Sequence, residues 1–427
     1  MKEHITTIMR GVVITVACLL VIPLSACAPK THSVLKEIEI GKYIAAVPIY
    51  DAAKIPGKHS YLALITADGH SKIIRLNTMF YNQPVWTHAG VQFIDNKSNY
   101  FIAKNSTQTR MTNHNKTDFQ YGSTFYDDNT MITVLNRGLE HKKDGIIGVS
   151  KTNGQFKEFA YSTAQAHSLS NLATCQQSTY TIDLSRDIEN PELVISKIFD
   201  GKSPQFTIED KVRPNVNTFD GELLTLFENH PTANNQSNIG TAFCQNGKLS
   251  TFVTVTANQT EQRLGSVMLF QWDTNTKQSR FIPLKDEKTG DYLTTSQATI
   301  WGKYSTDEYA ASKTETLVMS GLSGEILAVN TETGIAQQFT SPIIKYNDQF
   351  ETDFYGRLVM RTTTDYVYAF ALYENDKTGT KSFINVYSRD DGSLIKTIHL
   401  DSALNKKVYN TNFRLGYPAV SPDYTWR

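Results

Sequence analysis

The sequence predicts an all-β protein built as a β-propeller of four-stranded antiparallel blades, and three observations carry that expectation. Beyond residue 40 apolar and polar residues alternate, and no stretch of 12 or more keeps a helical period. One hairpin pattern, rich in Val, Ile, Thr, Tyr and Phe, recurs along the chain. Its polar turns fall at intervals of blade length.

The hairpins at 147–159, 267–281, 326–339 and 384–398 are the clearest copies, and 61–74 and 193–206 are weaker ones. Each is an apolar strand, a polar Gly or Asn turn, and a strand ending in an apolar anchor. The turns lie near 69, 108, 153, 201, 275, 333 and 392, at spacings of 39, 45, 48, 74, 58 and 59 residues. A blade needs roughly 40–60 residues. A second strand-turn-strand signature at 90–101, 122–132 and 218–226 supplies the other two strands. Seven turns predict seven blades. The 74-residue interval, with an extra hairpin at 243–252, leaves room for an eighth. A lone four-stranded sheet cannot bury both faces, whereas radial packing covers them. Closure is expected where residues 43–50 meet the last C-terminal strand. Two smaller β-domains are the rival arrangement, but no Pro/Ser/Gly-rich linker divides residues 42–427, which are assigned to one propeller.

The segment Ala328-Val-Asn-Thr-Glu-Thr-Gly334, followed by Phe339, resembles the blade repeat of quinoprotein-like, YVTN-like bacterial propellers, Ala-x-Asp-x-x-Thr-Gly-x-x-x-Trp. Asn330 replaces the Asp and Phe339 the docking Trp. The resemblance implies the architecture and not a redox activity, and no cofactor is expected.

Residues 1–26 read as a secretory signal. Lys2 and Arg10 give a positive start, and residues 11–24 an apolar run of 14, short for a membrane span. Leu24-Ser25-Ala26-Cys27 resembles the lipobox of bacterial lipoproteins. That resemblance implies cleavage before Cys27 and acylation of its thiol, palmitate being a typical chain. Two or more acyl chains anchor stably, since each buried CH2 contributes about 0.8 kcal/mol. Residues 27–41 are then the lipidated Cys and a short tether, and the expected location is the extracytoplasmic face of the cell membrane. Ala28 follows the Cys rather than Asp, so in a host with two membranes the family's sorting habit favours the outer one.

Lys+Arg and Asp+Glu both total 42, and loss of the leader changes the net charge only to −1. With no basic run to neutralise phosphates, nucleic acid is excluded as a partner. Apolar residues after residue 28 are too scattered for a multi-span membrane protein. Cys18 leaves with the leader and Cys27 is consumed by lipid, so Cys175 and Cys244 remain in the exported body. They have two readings: a disulfide, as an even pair outside the cytoplasm invites, or two separate thiols buried as small hydrophobes.

Motifs for chemistry are few. There is no phosphate loop, His-Glu-x-x-His, Cys-x-x-Cys or Gly-x-Gly-x-x-Gly. Gly321-Leu-Ser-Gly324 reads as a hairpin turn and not as a nucleophile elbow. Ser33-Val-Leu-Lys36, Lys288-Thr-Gly290 and Lys377-Thr-Gly379 match motifs of penicillin-interacting enzymes. Yet Ser33 falls in the tether and both Lys-Thr-Gly copies in polar turns, so no catalytic residue is assigned. Asp127-Asp128-Asn129 and Asp390-Asp391-Gly392 lack the alternating oxygens of a calcium loop, so no metal site is expected. His141 with Asp144, and His230, read as loop residues. Trp86 and Trp301 have two readings, stacking on a sugar ring at the propeller mouth or the more ordinary packing between blades, and Trp272 is expected to pack.

The combined expectation is a non-catalytic, lipid-anchored propeller that binds a protein, peptide or glycan partner through loops of the ring. A lipobox followed by such a propeller resembles, in architecture, the lipoprotein subunit of the outer-membrane β-barrel assembly machinery. The alternative is a propeller enzyme, a hydrolase, lyase or oxidoreductase acting on extracellular glycans or small metabolites. As a glycosidase it would need two carboxylates about 5–10 Å apart in a funnel.

Overall fold

The computed structural model describes residues 38–426 apart from 52–58, 79–82, 106–108, 118, 137–143, 163–168, 170, 186–191, 214–223, 227–240, 258–264, 296–304, 307–313, 322, 345–355, 374–381 and 405–412. Seven antiparallel sheets succeed one another along the chain.

Blade 2 sets the pattern, running from the inner to the outer strand: Val85–Thr87, Gly90–Ile94, Ser98–Ala103 and Thr109–Asn113. Blade 3 is Phe119–Asp127, Thr130–Asn136, Asp144–Lys151 and Phe156–Ser162, and blade 4 is Leu172–Cys175, Ser178–Leu184, Leu193–Phe199 and Pro204–Val212. In blade 5 the inner position is shared by Leu224–Leu226 and Phe243–Gln245, both paired with Lys248–Ala257. Gly265–Asp273 and Ser279–Pro283 follow. The long interval between turns thus holds the inner half of blade 5, not an eighth blade. Blade 6 is Ser305–Thr306, Glu315–Met319, Ile326–Asn330 and Ile335–Thr340, and blade 7 is Gly356–Thr362, Tyr366–Tyr373, Phe383–Ser388 and Leu394–His399. Blade 1 closes the ring. Its three outer strands, Tyr43–Asp51, Ser60–Thr66 and Ser71–Leu76, come from the N-terminal side, and Phe413–Leu415 and Ala419–Val420 supply the inner position.

Side chains alternate across each strand, so each sheet buries one face against the preceding blade and the other against the next. The described core accordingly divides into seven apolar clusters, one per interface. Blades 7 and 1 share Phe370, Ile384, Ile44 and Val47, in the largest of the seven clusters. Blades 2 and 3 share the smallest cluster, Val85, Ile94, Met131, Leu135 and Ile146.

The recurring turn lies between the third and outer strands, and its first residue caps it. Asp273 Oδ1 accepts the N–H groups of Asn275 and Thr276, both at 2.9 Å, and Asn330 Oδ1 those of Glu332 and Thr333, both at 3.0 Å. Asp200 does the same for Lys202 and Ser203. Such Asx turns explain why Asp or Asn opens the motif. The glycine that ends it has a second duty. Gly334 (φ +76°) and Gly69 (φ +86°) sit on the carbonyls of Pro283 and His399, where a Cβ would overlap the oxygen. Each glycine carbonyl then accepts an N–H from just past that outer strand, Lys285 at 2.9 Å and Asp401 at 3.0 Å. The turn is therefore also the joint to the preceding blade.

Candidate functional site

In an antiparallel blade the turn between inner and second strands lies at one axial end of the ring, and both ends of the described chain arrive there. Ala419–Val420 pairs antiparallel with Tyr43–Asp51, Val420 opposite Ala45, and Ser421 N–H donates to Ile44 O at 2.9 Å. Residues 38–42 and 421–426 therefore leave side by side. Ile38 and Ile40 are buried with Trp86 and Ala419 between blades 1 and 2.

The tail 421–426 lies across this terminal face. Asp423 Oδ1 meets His88 Nδ1 at 2.6 Å in the inner turn of blade 2, and Oδ2 accepts from Lys104 Nζ at 2.9 Å. Burial pushes the Asp423 carboxyl up, but the bonds from His88 and Lys104 outweigh it and hold the group below the usual carboxylate range. At blade 7, Trp426 N–H donates to Tyr366 Oη and its Nε1 to Tyr368 Oη, each at 3.1 Å. Tyr424 meets the Trp426 ring edge-on at 4.9 Å, and Lys396 Nζ stands 5.5 Å from its centroid, within cation–π range. These groups border a cleft of about 470 Å³, walled also by Trp86 and Ile395. Its charged lining is Lys104, Lys396 and Asp423, a net charge of +1.

Near the ring axis is a second, much smaller cavity of about 40 Å³, lined by Gln83, Trp86, Ser123, Arg361, Thr362 and Val420 among others. No carboxylate is among its described lining residues. The adjoining joint of blades 2 and 3 is polar. Gln120 Nε2 donates to Gln83 O and Thr133 Oγ1, and Ser123 Oγ donates to Gln83 O. The amides of Gln92 and Asn99 are buried there with no hydrogen-bond partner in the protein. At the far end of these strands the fully buried Asp95 accepts from the backbone N–H of Asn77, Lys97 and Ser98 and from Tyr100 Oη. Burial, followed by the Asp95 charge, pushes the Tyr100 hydroxyl well up.

The Sγ atoms of Cys175 and Cys244 are bonded, with the Cα atoms 5.2 Å apart. The bond joins the inner strands of blades 4 and 5. Trp86 is buried at 6% exposure and packs between blades 1 and 2, with one edge on the cavity and another on the cleft. Trp272 is fully buried between blades 4 and 5, and its Nε1 donates to Asp210 Oδ2 at 2.9 Å. Asp127 and Asp391 cap their own turns, accepting from the N–H of Asn129 and Ser393. Gly321, Ser323 and Gly324 fall in the hairpin between Glu315–Met319 and Ile326–Asn330. Among the described residues no group of three His, Cys, Asp or Glu could hold a metal. Cys27, Trp301, Ser33, Lys36, His141, His230 and residues 377–379 lie outside the described residues. Sequence reasoning passed over Asp423 and Trp426. The signal available was the aromatic cluster Tyr417, Tyr424 and Trp426 at the C-terminal end.

No protein-family model matches the chain, and no curated protein matches it. Solved structures similar to it include apo AztD from Citrobacter koseri, with a TM-score of 0.41 and 9% identity over 88% of this chain and 98% of that one. The β-propeller domain of the Trilobed protease from Pyrococcus furiosus has a TM-score of 0.43 and 6% identity over 81% of this chain and 87% of that one. The Neurospora crassa Pan2 WD40 domain has a TM-score of 0.40 and 9% identity over 77% and 86%. Likeness at this level concerns the fold alone, and by its fold the chain is a seven-bladed β-propeller.

Proposed function

We propose that the chain is an exported lipoprotein, acylated at Cys27, whose propeller is a non-catalytic platform for a protein, peptide or glycan partner at the extracytoplasmic face of the cell membrane. The bond between Cys175 and Cys244 is the observation that carries the location, because such a bond persists in oxidising compartments, and a lipobox leader delivers the chain to one. A binding role draws support from the ring's interior. The axial cavity of about 40 Å³ is far below the roughly 300–1,000 Å³ of pockets that enclose small ligands. The acid of the larger cleft, Asp423, is engaged by His88 and Lys104.

Two measurements test the reading. Metabolic labelling with a fatty acid tags the parent and leaves Cys27→Ser untagged; equal tagging of both refutes the anchor. Cross-linking in the protein's own membrane, followed by binding of the identified partner to purified protein, tests the platform. Turnover of a glycan or metabolite by the purified protein refutes the non-catalytic reading.

A further inference from the structure

The terminal face has an orientation relative to the anchor, and magnitudes fix it. Ten residues, or eleven Cα–Cα steps, separate Cys27 from Ile38, which is buried between blades 1 and 2 and leads into that face. Fully extended, they reach no more than about 40 Å. The nine-residue inner strand Phe119–Asp127 makes the ring roughly 30 Å thick, and two strand spacings from the second strand to the outer one add roughly 10 Å. A tether leaving the terminal face and rounding the rim to the opposite face would spend its whole reach, roughly 40 Å, before any acyl chain entered lipid. The short path leads straight from the terminal face to the bilayer.

We propose that this face, around the tail 421–426, is a membrane-contact surface that seats the ring on the anionic phospholipid bilayer carrying the Cys27 acyl chains. This rests on the lipid-anchor reading above. The chemistry of the cleft fits that occupant. Tyr424 and Trp426 are half-buried amphipathic rings of the kind that settle at headgroup level. Ile395 is 41% exposed beside them. Lys104 and Lys396 stand at the same cleft with ammonium groups suited to lipid phosphates, and its net charge is positive. The outer strand of each blade ends, and the next inner strand begins, at the opposite axial end, which the seated ring turns away from the lipid.

The test uses the mature acylated protein in phosphatidylcholine–phosphatidylglycerol vesicles containing lipids brominated near the headgroup end of the chain. Flotation reports the anchor, and quenching of tryptophan emission reports the seating. The expected result is flotation of the parent with clear quenching, most of which disappears in Trp426→Phe. In Lys396→Glu, whose exposed side chain leaves the core and the bonds to Asp423 untouched, quenching should fall at least about twofold while flotation persists. Flotation with equal quenching in parent and Trp426→Phe, or with none in the parent, overturns the seating and leaves the anchor standing. Unchanged quenching in the lysine variant overturns the charge complementarity on which the surface rests. A parent that does not float overturns both readings.

Discussion

Breaking the bond between Cys175 and Cys244 frees a loop spanning a sequence separation of 69 residues, which contains the second, third and outer strands of blade 4 and the crossover to blade 5. In the loop-entropy account, closing such a loop removes about 15 cal/mol/K from the denatured chain, or about 4 kcal/mol at 25 °C. Unfolding entropy for a body of this length is about 0.8 kcal/mol/K if the ring melts as one unit, so the midpoint should fall by about 5 °C. Local packing adds little to the loss, since Cys175 stays buried among Tyr180, Leu249 and Trp272 with the bond open. The measurement is thermal and urea unfolding of oxidised and reduced protein, with a thiol titration to verify reduction, alongside a Cys175→Ala/Cys244→Ala variant. Coincident midpoints for fully oxidised and fully reduced protein would refute the reasoning. So would a drop of the predicted size that the double variant did not reproduce, because the loss would then belong to something other than the cross-link.

Other expectations follow from the joints and the turns. Asp273→Ala should lower stability by up to about 1 kcal/mol through the loss of two turn-capping bonds, while Asp273→Asn retains most of it, as Asn330 already does in blade 6; paired urea midpoints check this. The Asp423 carboxyl is depressed in the fold, so its contribution is full above the unfolded value of about 3.9 and is lost as pH falls through the lower folded value. C-terminal proteolysis or Trp426 fluorescence should report release of the tail over that acid window and, at neutral pH, in Asp423→Asn. Asp95→Ala strands buried donors from Asn77, Lys97, Ser98 and Tyr100 and should cost at least about 3 kcal/mol; a loss below 1 kcal/mol in urea unfolding would contradict the buried hub. Gln92→Leu exchanges an unpartnered buried amide for an apolar group and should be neutral or stabilising by about 1–2 kcal/mol, whereas a clear loss would mean that the amide is satisfied by ordered water.

The blade count was legible because the same physical demand recurs in every blade. The turns between third and outer strands of blades 4, 5 and 6 carry an Asx cap and those at Gly69 and Gly334 a positive-φ residue thin enough to sit on the neighbouring blade. Both requirements leave marks at fixed offsets, and the seven turns read from sequence each fall between the third and outer strands of one blade. The inner strands left fainter marks. Blade 5 divides that position between Leu224–Leu226 and Phe243–Gln245, so its hairpin at 243–252 mimicked an extra blade. The terminal face was not legible, because it depends on pairs such as His88 with Asp423, 335 positions apart. The same holds for the two cysteines: their spacing admitted a bond or two thiols, and only the adjacency of two inner strands brings the sulfurs together.

Because blade 1 draws its inner strand from Phe413–Leu415 and Ala419–Val420, residues synthesised after the six other blades complete the first sheet to be begun. Until they arrive, Tyr43–Asp51 keeps an unpaired edge, and the nascent polypeptide cannot lock prematurely into its finished shape. It also means that deleting residues 413–427 would open the whole circle, whereas an equal cut in an open solenoid would merely shorten it.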